Sequence, residues 1–408
     1  MDFAAAVEYL LGLGHETLTI KLGLRNTELL LNALDNPQRA FPSVQIAGTN
    51  GKGSTAAMLD SICRAAGIRC GLYTSPHLVS ITERIKVSGE PISHEEFASC
   101  ATTVREVSEQ IDALPTFFEQ LTAIALLAFR NAGIELAILE TGLGGRLDST
   151  TAANATIVAV TQIAMDHEEY LGHTIESIAN EKAAIIRPGV KAVIAKQQPE
   201  AMSVLLRRCE ECGVTPILSE RVSGYENVLL GLHGRHQIDN AAVAIRLAEL
   251  LHAPRAAIVS GLENAHHPGR LELIAHKPNF LLDGAHNPAG CESLRAYLDE
   301  FAPRPLTLVF GAMRDKQLDQ MGEILFPVAD VLILTPVVNP RSASMEMLRP
   351  VAERFARGTV IETDSSAEAL RVAIAKTPPE GLICIAGSLY LIGEVRPSIS
   401  KISLDGPG

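Results

Sequence analysis

The sequence predicts an α/β protein of two domains: an N-terminal domain with a mostly parallel sheet that opens on a phosphate loop, and a smaller, Rossmann-like α/β domain at the C-terminus. Three observations predict it. The apolar run Val44-Gln45-Ile46-Ala47 feeds a glycine-rich turn and then a helical segment, Ala56-Ala57-Met58-Leu59-Asp60-Ser61-Ile62. Short apolar runs then alternate with helical periodicities, the pattern of βαβ units. Past residues 264–270, where Pro268-Gly269 breaks both neighbouring patterns, the alternation restarts. The domains are accordingly placed at 1–267 and 268–408.

Composition narrows the classes of partner. The 408 residues suffice for two separate cores, and 47% hydrophobic with 20% charged residues is ordinary for a globular protein. A formal charge of −12 argues against a nucleic-acid or anionic-membrane surface, which needs a broad basic footprint. Asp2 and Glu8 stand where a signal peptide carries Lys or Arg, and the apolar segment Leu121 to Phe129 is too short to span a bilayer. A cytoplasmic protein with small-molecule ligands, no nucleic acid and no membrane is expected. The seven cysteines are odd in number and scattered, so no disulfide framework is read from them. Cys209-Glu210-Glu211-Cys212 is taken as a surface coincidence.

In chain order, an amphipathic helix is expected at Phe3 to Leu11 and an apolar stretch at Thr27 to Leu34, with the turn Ile20-Lys21-Leu22-Gly23-Leu24 between them. The loop follows: Gly48-Thr49-Asn50-Gly51-Lys52-Gly53-Ser54-Thr55. Its glycines allow backbone N–H groups to approach an anion closely, and the dipole of the following helix adds positive potential there. Lys52 supplies a full charge for outer phosphates, and the Ser54 or Thr55 hydroxyl can reach magnesium. The spacing departs from G-x-x-x-x-G-K-[ST], because position 46 is Ile and Gly53 separates Lys52 from Ser54. The strand before it, the helix after it and the lysine with its hydroxyls still make this a nucleotide site, and the first domain a phosphate-loop ATPase.

A strand at Gly71 to Thr74 empties into Ser75-Pro76-His77-Leu78, where Pro76 holds Ser75 extended. Helices are expected at His94 to Ile111 and Phe117 to Asn131. The strand Leu136 to Leu139 ends in Glu140 and the glycine-rich run Thr141 to Thr150. A carboxylate ending an apolar strand faces solvent or needs a partner, and a divalent cation beside a triphosphate is a natural one. The strand Thr156 to Thr161 leads to Asp166-His167, which brings His167 toward the sheet edge that carries Ser75 and Glu140. Ile175 to Ile186 reads as a helix holding Glu181-Lys182, then come a strand at Ala192 to Ala195, a helix at Ala201 to Cys212, and a long helix containing Asn240. In the second domain, strands are expected at 280–282, 306–310, 331–334, 359–361 and 382–385. The first ends in Asp283-Gly284-Ala285-His286-Asn287-Pro288. Residues Pro397 to Gly408 are polar and turn-rich, and are expected to fray.

The run G-T-N-G-K-G-S-T resembles the ATP loop of the Mur ligase superfamily, and within it the folylpolyglutamate synthase and dihydrofolate synthase family. The resemblance extends from about Leu22 to about Glu394, through S-P-H-L at Ser75, E-x-G-L-G-G-R-L-D from Glu140 to Asp148, D-H-x-x-x-L-G at Asp166, E-K-A at Glu181, P-G-R ending at Arg270 and D-x-A-H-N-P at Asp283. It implies ATP contacts from Gly48, Thr49, Asn50, Gly51, Lys52, Gly53, Ser54, Thr55, Asn240, Arg270, Asp283 and His286. It implies magnesium bound by Ser54, Ser75, Glu140 and His167, and a carbamylated Lys182 that helps position the metal. Lys52, Glu140, His167 and Lys182 are the catalytic set. Leu22, Gly23 and Leu24 match a segment of the family's pteroate pocket, with Lys21 replacing its acid. The T-[YF]-F-E residues Thr116, Phe117, Phe118 and Glu119, together with Leu147, Asp148 and Ser149, match segments lining the dihydropteroate pocket. There an acid can accept hydrogen bonds from the pterin edge while an aromatic ring covers its face. The bland alternative has the phenylalanines in the core and Asp148 capping a turn.

The implied enzyme is an ATP-dependent ligase that adds L-glutamate to dihydropteroate or tetrahydrofolate through an acyl phosphate, bifunctional and monomeric. The alternatives are folylpolyglutamate synthesis alone or another Mur-type amide ligation. A peptidoglycan ligase is disfavoured, because about 43 residues before the loop strand leave no room for a UDP-binding domain. Two rivals lie in other classes. A motor or switch ATPase hydrolyses ATP without folate or glutamate, and a non-catalytic subunit binds ATP without forming an acyl phosphate.

Overall fold

Strands buried along their whole length make a parallel sheet, because helices must cover both of its faces. The computed structural model describes residues 1–14, 23–220 and 222–404. It divides into two units, Met1–Gly231 with Asp239–Ala265, and Leu232–Ile238 with the chain from His266 onward. The strands of the first are β1 (Ser43–Ala47), β2 (Cys70–Tyr73), β3 (Ile85–Val87), β4 (Glu90–Pro91), β5 (Leu136–Glu140), β6 (Ile157–Val160), β7 (Lys191–Ile194) and β8 (Pro216–Leu218). They lie in the order β4-β3-β2-β5-β1-β6-β7-β8. All neighbours are parallel except the β2-β3-β4 edge. Every residue of β1, β2, β5 and β6 is buried.

The β3–β4 hairpin and β8 escape sequence reading because each is only two or three residues long. The hairpin's signal was its turn, Ser88-Gly89, where both residues have positive φ (52° and 90°) as a two-residue turn requires. The helix after the phosphate loop starts at Lys52 and runs to Ala65, and Gly53 to Cys63 are all buried. It is covered by the helix Arg255–Glu263, which sequence periodicity did not show. The two backbones approach so closely that a Cβ on Gly261 would stand 2.4 Å from Ile62 Cα.

The second unit contains β9 (Glu272–Ile274), β10 (Asn279–Leu282), β11 (Leu306–Phe310), β12 (Val331–Leu334), β13 (Thr359–Glu362) and β14 (Leu382–Ala386). Their order is β13-β12-β11-β14-β10-β9, with only β9 antiparallel. Two expectations are corrected. The C-terminal segment does not fray at Pro397, since the helix Leu389–Leu404 continues through it, and residues 405–408 of that expectation lie outside the described residues. Leu391, Ile392, Val395 and Ile399 form one buried stripe, and Pro397 sits on the exposed side. Cys209 is not a surface residue: it lies 1% exposed in the core, while Cys212 Sγ donates to Ile186 O. All seven thiols are free.

Gly261→Ala is expected to destabilise the first unit by about 1–3 kcal/mol, because the clash falls on backbone. A lowered urea midpoint with unchanged slope checks this.

Candidate active site

The loop after β1 is shaped by glycines whose places no other residue can fill. Gly48 has φ +150°, and a Cβ there would meet Thr161 Oγ1 at 1.9 Å. Gly51 has φ +85° at the helix N-cap, where a Cβ would lie 2.1 Å from Asn240 Oδ1. Asn240 therefore packs against the loop. Thr49 N and Asn50 N both donate to Gln162 O, at 2.8 and 3.1 Å. Thr49 Oγ1 donates to Ala164 O at 3.0 Å, and Ala164 N lies 3.1 Å from the same hydroxyl. The Thr49 and Asn50 amides thus face the chain leaving β6, and the anion-binding face falls to the amides from Gly51 onward. Lys52 Nζ donates to Thr49 O at 3.1 Å, which folds the ammonium over the loop. Ser54 is buried, and Thr55 Oγ1 is buried without a hydrogen-bond partner.

Register brings neighbouring strand ends level. Ile46 pairs with Glu140, Ala47 with Val160, and Tyr73 with Leu139. The residues just past β2, β5, β1 and β6 therefore share one carboxyl edge of the sheet, the edge at which parallel α/β sheets bind ligands. Glu140 is 5% exposed, and its Oε2 accepts from Ser75 N at 3.2 Å. This joins two of the residues that sequence placed together. His167 adopts φ 52° ahead of the short helix Glu168–Leu171, with its N–H on Asp166 Oδ1 at 2.9 Å. Its Nε2 is 3.9 Å from Asp166 Oδ2. Among the described residues no three His, Cys, Asp or Glu side chains gather as a metal cage. The donor chemistry still suits magnesium, which takes hard oxygen ligands such as Glu140 and serine hydroxyls and completes its shell with phosphate and water.

Glu181 and Lys182 diverge from one helix, Ile175–Ala183. Glu181 turns outward to a forked pair with Arg146. Lys182 turns inward, 4% exposed, and donates to Gly48 O at 2.8 Å. Burial, and then the charge on Lys52, push its pKa down to about 7 against the pull of Asp166, Asp148 and Glu181.

The glycine-rich loop after β5 is organised by Asp148. Its Oδ2 accepts from Gly142 N and Leu143 N at 2.8 and 2.9 Å, and its Oδ1 from Thr150 N and Thr150 Oγ1 at 3.0 and 2.5 Å. Burial nevertheless pushes its pKa up. Asp148 caps the turn Ser149–Ala153, and its acceptor sites are engaged within its own loop. Thr116 and Glu119 form a capping box at the start of the helix Phe117–Ala132, with Thr116 N on Glu119 Oε2 at 2.6 Å. The signature Thr-x-x-Glu was present in the sequence and signals this directly. Phe117 is buried beneath the Arg84 guanidinium. Phe118 is the half-buried ring, lying over Gly142 and 6.1 Å from the Tyr73 ring. Buried Ser149 and half-buried Leu147 flank Asp148. Gly23 and Leu24 are half-buried at the start of the helix Arg25–Ala33, whereas Leu22 and Lys21 lie outside the described residues. Sequence reasoning missed Arg84, 3% exposed with its Nε donating to His77 Nδ1 at 2.8 Å, because nothing in its neighbours marks it.

In the second unit, Asp283 directly follows β10 and accepts from Leu271 N and Ala285 N at 2.8 and 2.9 Å. Burial raises its pKa and the positive charge of Arg270 opposes the rise. A Cβ on Gly284 would lie 2.6 Å from Arg270 Nη1, so this glycine admits the guanidinium. His286 Nδ1 is 2.7 Å from Gly284 O, and Asn287 caps the helix Pro288–Phe301.

Residues 46–248 match the Mur ligase middle domain and residues 269–389 the Mur ligase, glutamate ligase domain. The chain is 34% identical to the dihydrofolate synthase/folylpolyglutamate synthase of Bacillus subtilis, over 92% of this chain and 95% of the relative. It is 35% identical to the probable bifunctional folylpolyglutamate synthase/dihydropteroate synthase of Haloferax volcanii, over 98% of this chain but only 51% of the relative, so it spans about half the length of that protein. Among solved structures, Mycobacterium tuberculosis folylpolyglutamate synthase complexed with ADP and AMPPCP superposes with a TM-score of 0.88 at 33% identity, covering 98% of this chain and 99% of the other. Escherichia coli FolC in complex with DHPP and ADP gives 0.88 at 31% identity, covering 98% of each chain.

Asp148→Ala is expected to lower stability by about 1–3 kcal/mol, since it leaves buried N–H donors unpaired. Gly51→Ala is expected to weaken nucleotide binding at least about tenfold, from the positive φ and the clash with Asn240. Thermal melts check the first and a nucleotide titration the second.

Proposed function

The chain belongs to the folylpolyglutamate synthase and dihydrofolate synthase family of Mur ligases, and from that premise we propose that it joins L-glutamate to a pteroate or folate carboxylate while consuming ATP. A carboxylate does not react with an amine, because oxide is the leaving group. Transfer of the γ-phosphate to the carboxylate gives an acyl phosphate, and the glutamate amine displaces inorganic phosphate from it. One observation carries the reading: the phosphate loop, the Ser75–Glu140 contact and the buried Lys182 amine share one carboxyl edge of a parallel sheet.

In this reading Lys52 and the first-turn amides of its helix hold the phosphates. Ser54, Ser75, Glu140 and His167 hold magnesium, which when bound offsets charge on the transferring phosphoryl group. Asn240, Arg270, Asp283 and His286 contact the nucleotide. Lys182 is the carbamylation site. Carbon dioxide adds only to a neutral amine, and at a pKa of about 7 roughly half of the Lys182 amines are neutral at pH 7, against about one in a thousand or fewer for an ordinary lysine.

The name of the Bacillus subtilis relative and the DHPP bound to Escherichia coli FolC favour dihydropteroate as a second substrate. Phe118 covers the pterin face, with Gly23, Leu24 and the loop around Leu147 to Ser149 shaping the pocket. Thr116, Glu119 and Asp148 act by holding that shape, because their polar atoms bond within their own loop and helix start. No helix among the described residues is long and apolar enough to cross a membrane. A cytoplasmic monomer is the proposed form.

Phosphate release is assayed with dihydropteroate plus glutamate, and separately with tetrahydrofolate plus glutamate. Both are expected to support turnover, and ATP hydrolysis indifferent to either would return the motor reading. Glu140→Gln is expected to reduce turnover by about a hundredfold or more with little change in melting temperature. Lys182→Ala is expected to be inactive and partly rescued by short-chain carboxylates. Reactivation of carbon-dioxide-depleted wild type, with dissolved carbon dioxide held constant at every pH, should slow as pH falls below 7, approaching about tenfold per pH unit as the neutral amine is lost. A flat profile, or a variant insensitive to carboxylates, counts against the carbamate.

A further inference from the structure

The loop Gly48–Asn50 is clamped by the chain leaving β6, and that chain is itself held by a side chain from β7's extension. The β6–β7 ladder closes with Ala195 N donating to Val160 O at 2.9 Å, after which the β7 chain turns away toward the helix Pro199–Glu211. Beyond that point Gln197 supplies the next rung with its carboxamide. Ile163 N donates to its Oε1 at 2.9 Å, and its Nε2 donates to Thr161 O at 2.8 Å. These two bonds bracket Gln162, whose carbonyl receives the Thr49 and Asn50 amides. Thr161 N bonds Ala47 O, and the Thr161 hydroxyl, which also donates to Ala47 O, sits where a Cβ on Gly48 would be. Thr161 and Ile163 are both fully buried, so removing the carboxamide leaves a buried carbonyl and a buried N–H to be satisfied by moving the segment.

We propose that Gln197 is a positioning residue for nucleotide binding. It sets residues 161–164 in the extended path that orients Gly48–Asn50, and through the same segment it sets the approach to Asp166 and His167. Gln197 touches none of the proposed ligand-binding groups itself. The proposal deepens the ATP-ligase reading and rests on it.

The test is calorimetric titration of the full chain with AMPPNP and magnesium, well below each variant's unfolding temperature, combined with steady-state kinetics. Gln197→Met keeps the length of the side chain and loses both hydrogen bonds. Gln197→Glu keeps the acceptor for Ile163 N and loses the donor to Thr161 O. Affinity is expected to fall by about tenfold or more in Gln197→Met, and by an intermediate amount in Gln197→Glu. KM for ATP should rise while KM for tetrahydrofolate changes little, a split that general damage to the fold does not produce. If Gln197→Met fails to fold, Gln197→Glu carries the comparison. Wild-type affinity in the folded variant, or a parallel rise in both KM values, overturns the proposal. A wild-type chain that binds no nucleotide removes instead the ligase reading beneath it.

Discussion

The hydrogen bonds from Thr49 N and Asn50 N to Gln162 O are the constraint on which the rest of the site depends. A loop rich in glycine has little side-chain packing to stiffen it and loses the most conformational freedom on folding. Here the loop borrows order from its neighbour in the sheet. The parallel register puts β6's exit beside β1's exit, so a backbone carbonyl from one strand end fixes the path of the other. Strand order, decided by the apolar burial of the sheet, thereby becomes geometry at an anion site.

The same proximity sets the electrostatics. Lys182 and Lys52 both reach carbonyls of this loop, Gly48 O and Thr49 O. Burial, and then the charge on Lys52, hold the pKa of Lys182 down to about 7. The low pKa of Lys182 is thus a consequence first of its burial under the loop and then of the second lysine on the same loop. On the other flank, Asp148 gathers four hydrogen bonds to stiffen a second glycine-rich loop, so both loops at this edge are held by acceptors within the protein.

Much of this was legible in the sequence, because strand-end motifs announce themselves. An apolar run ending in a polar residue pointed to Glu140, a glycine-rich turn between strand and helix to the phosphate loop, and the family resemblance of the S-P-H-L run to Ser75, whose N–H the structure sets on Glu140. What was not legible depended on hydrogen-bond partners distant in sequence. Gln197 acts on residues more than thirty positions away, and Gln45 on Thr150 and Thr151 more than a hundred positions on. Asp148 capping a turn was one of the two readings open in the sequence, and its oxygens do serve that turn, while those of Glu119 serve a helix start. The Thr116-x-x-Glu119 spacing carried that information and was outweighed by the motif around it. The residues from Pro397 onward were expected to fray, but burial of Ile399 on the face opposite Pro397 keeps the helix continuing to Leu404.

The central claim is that this edge of the sheet activates a carboxylate by phosphorylating it. The most direct measurement uses tetrahydrofolate labelled with oxygen-18 in its γ-carboxylate, turned over with ATP and glutamate, with the released phosphate examined by mass spectrometry. Passage through an acyl phosphate predicts one labelled oxygen in each phosphate released. Phosphate that carries oxygen only from ATP and water, with both labels left on the folate, would contradict the account.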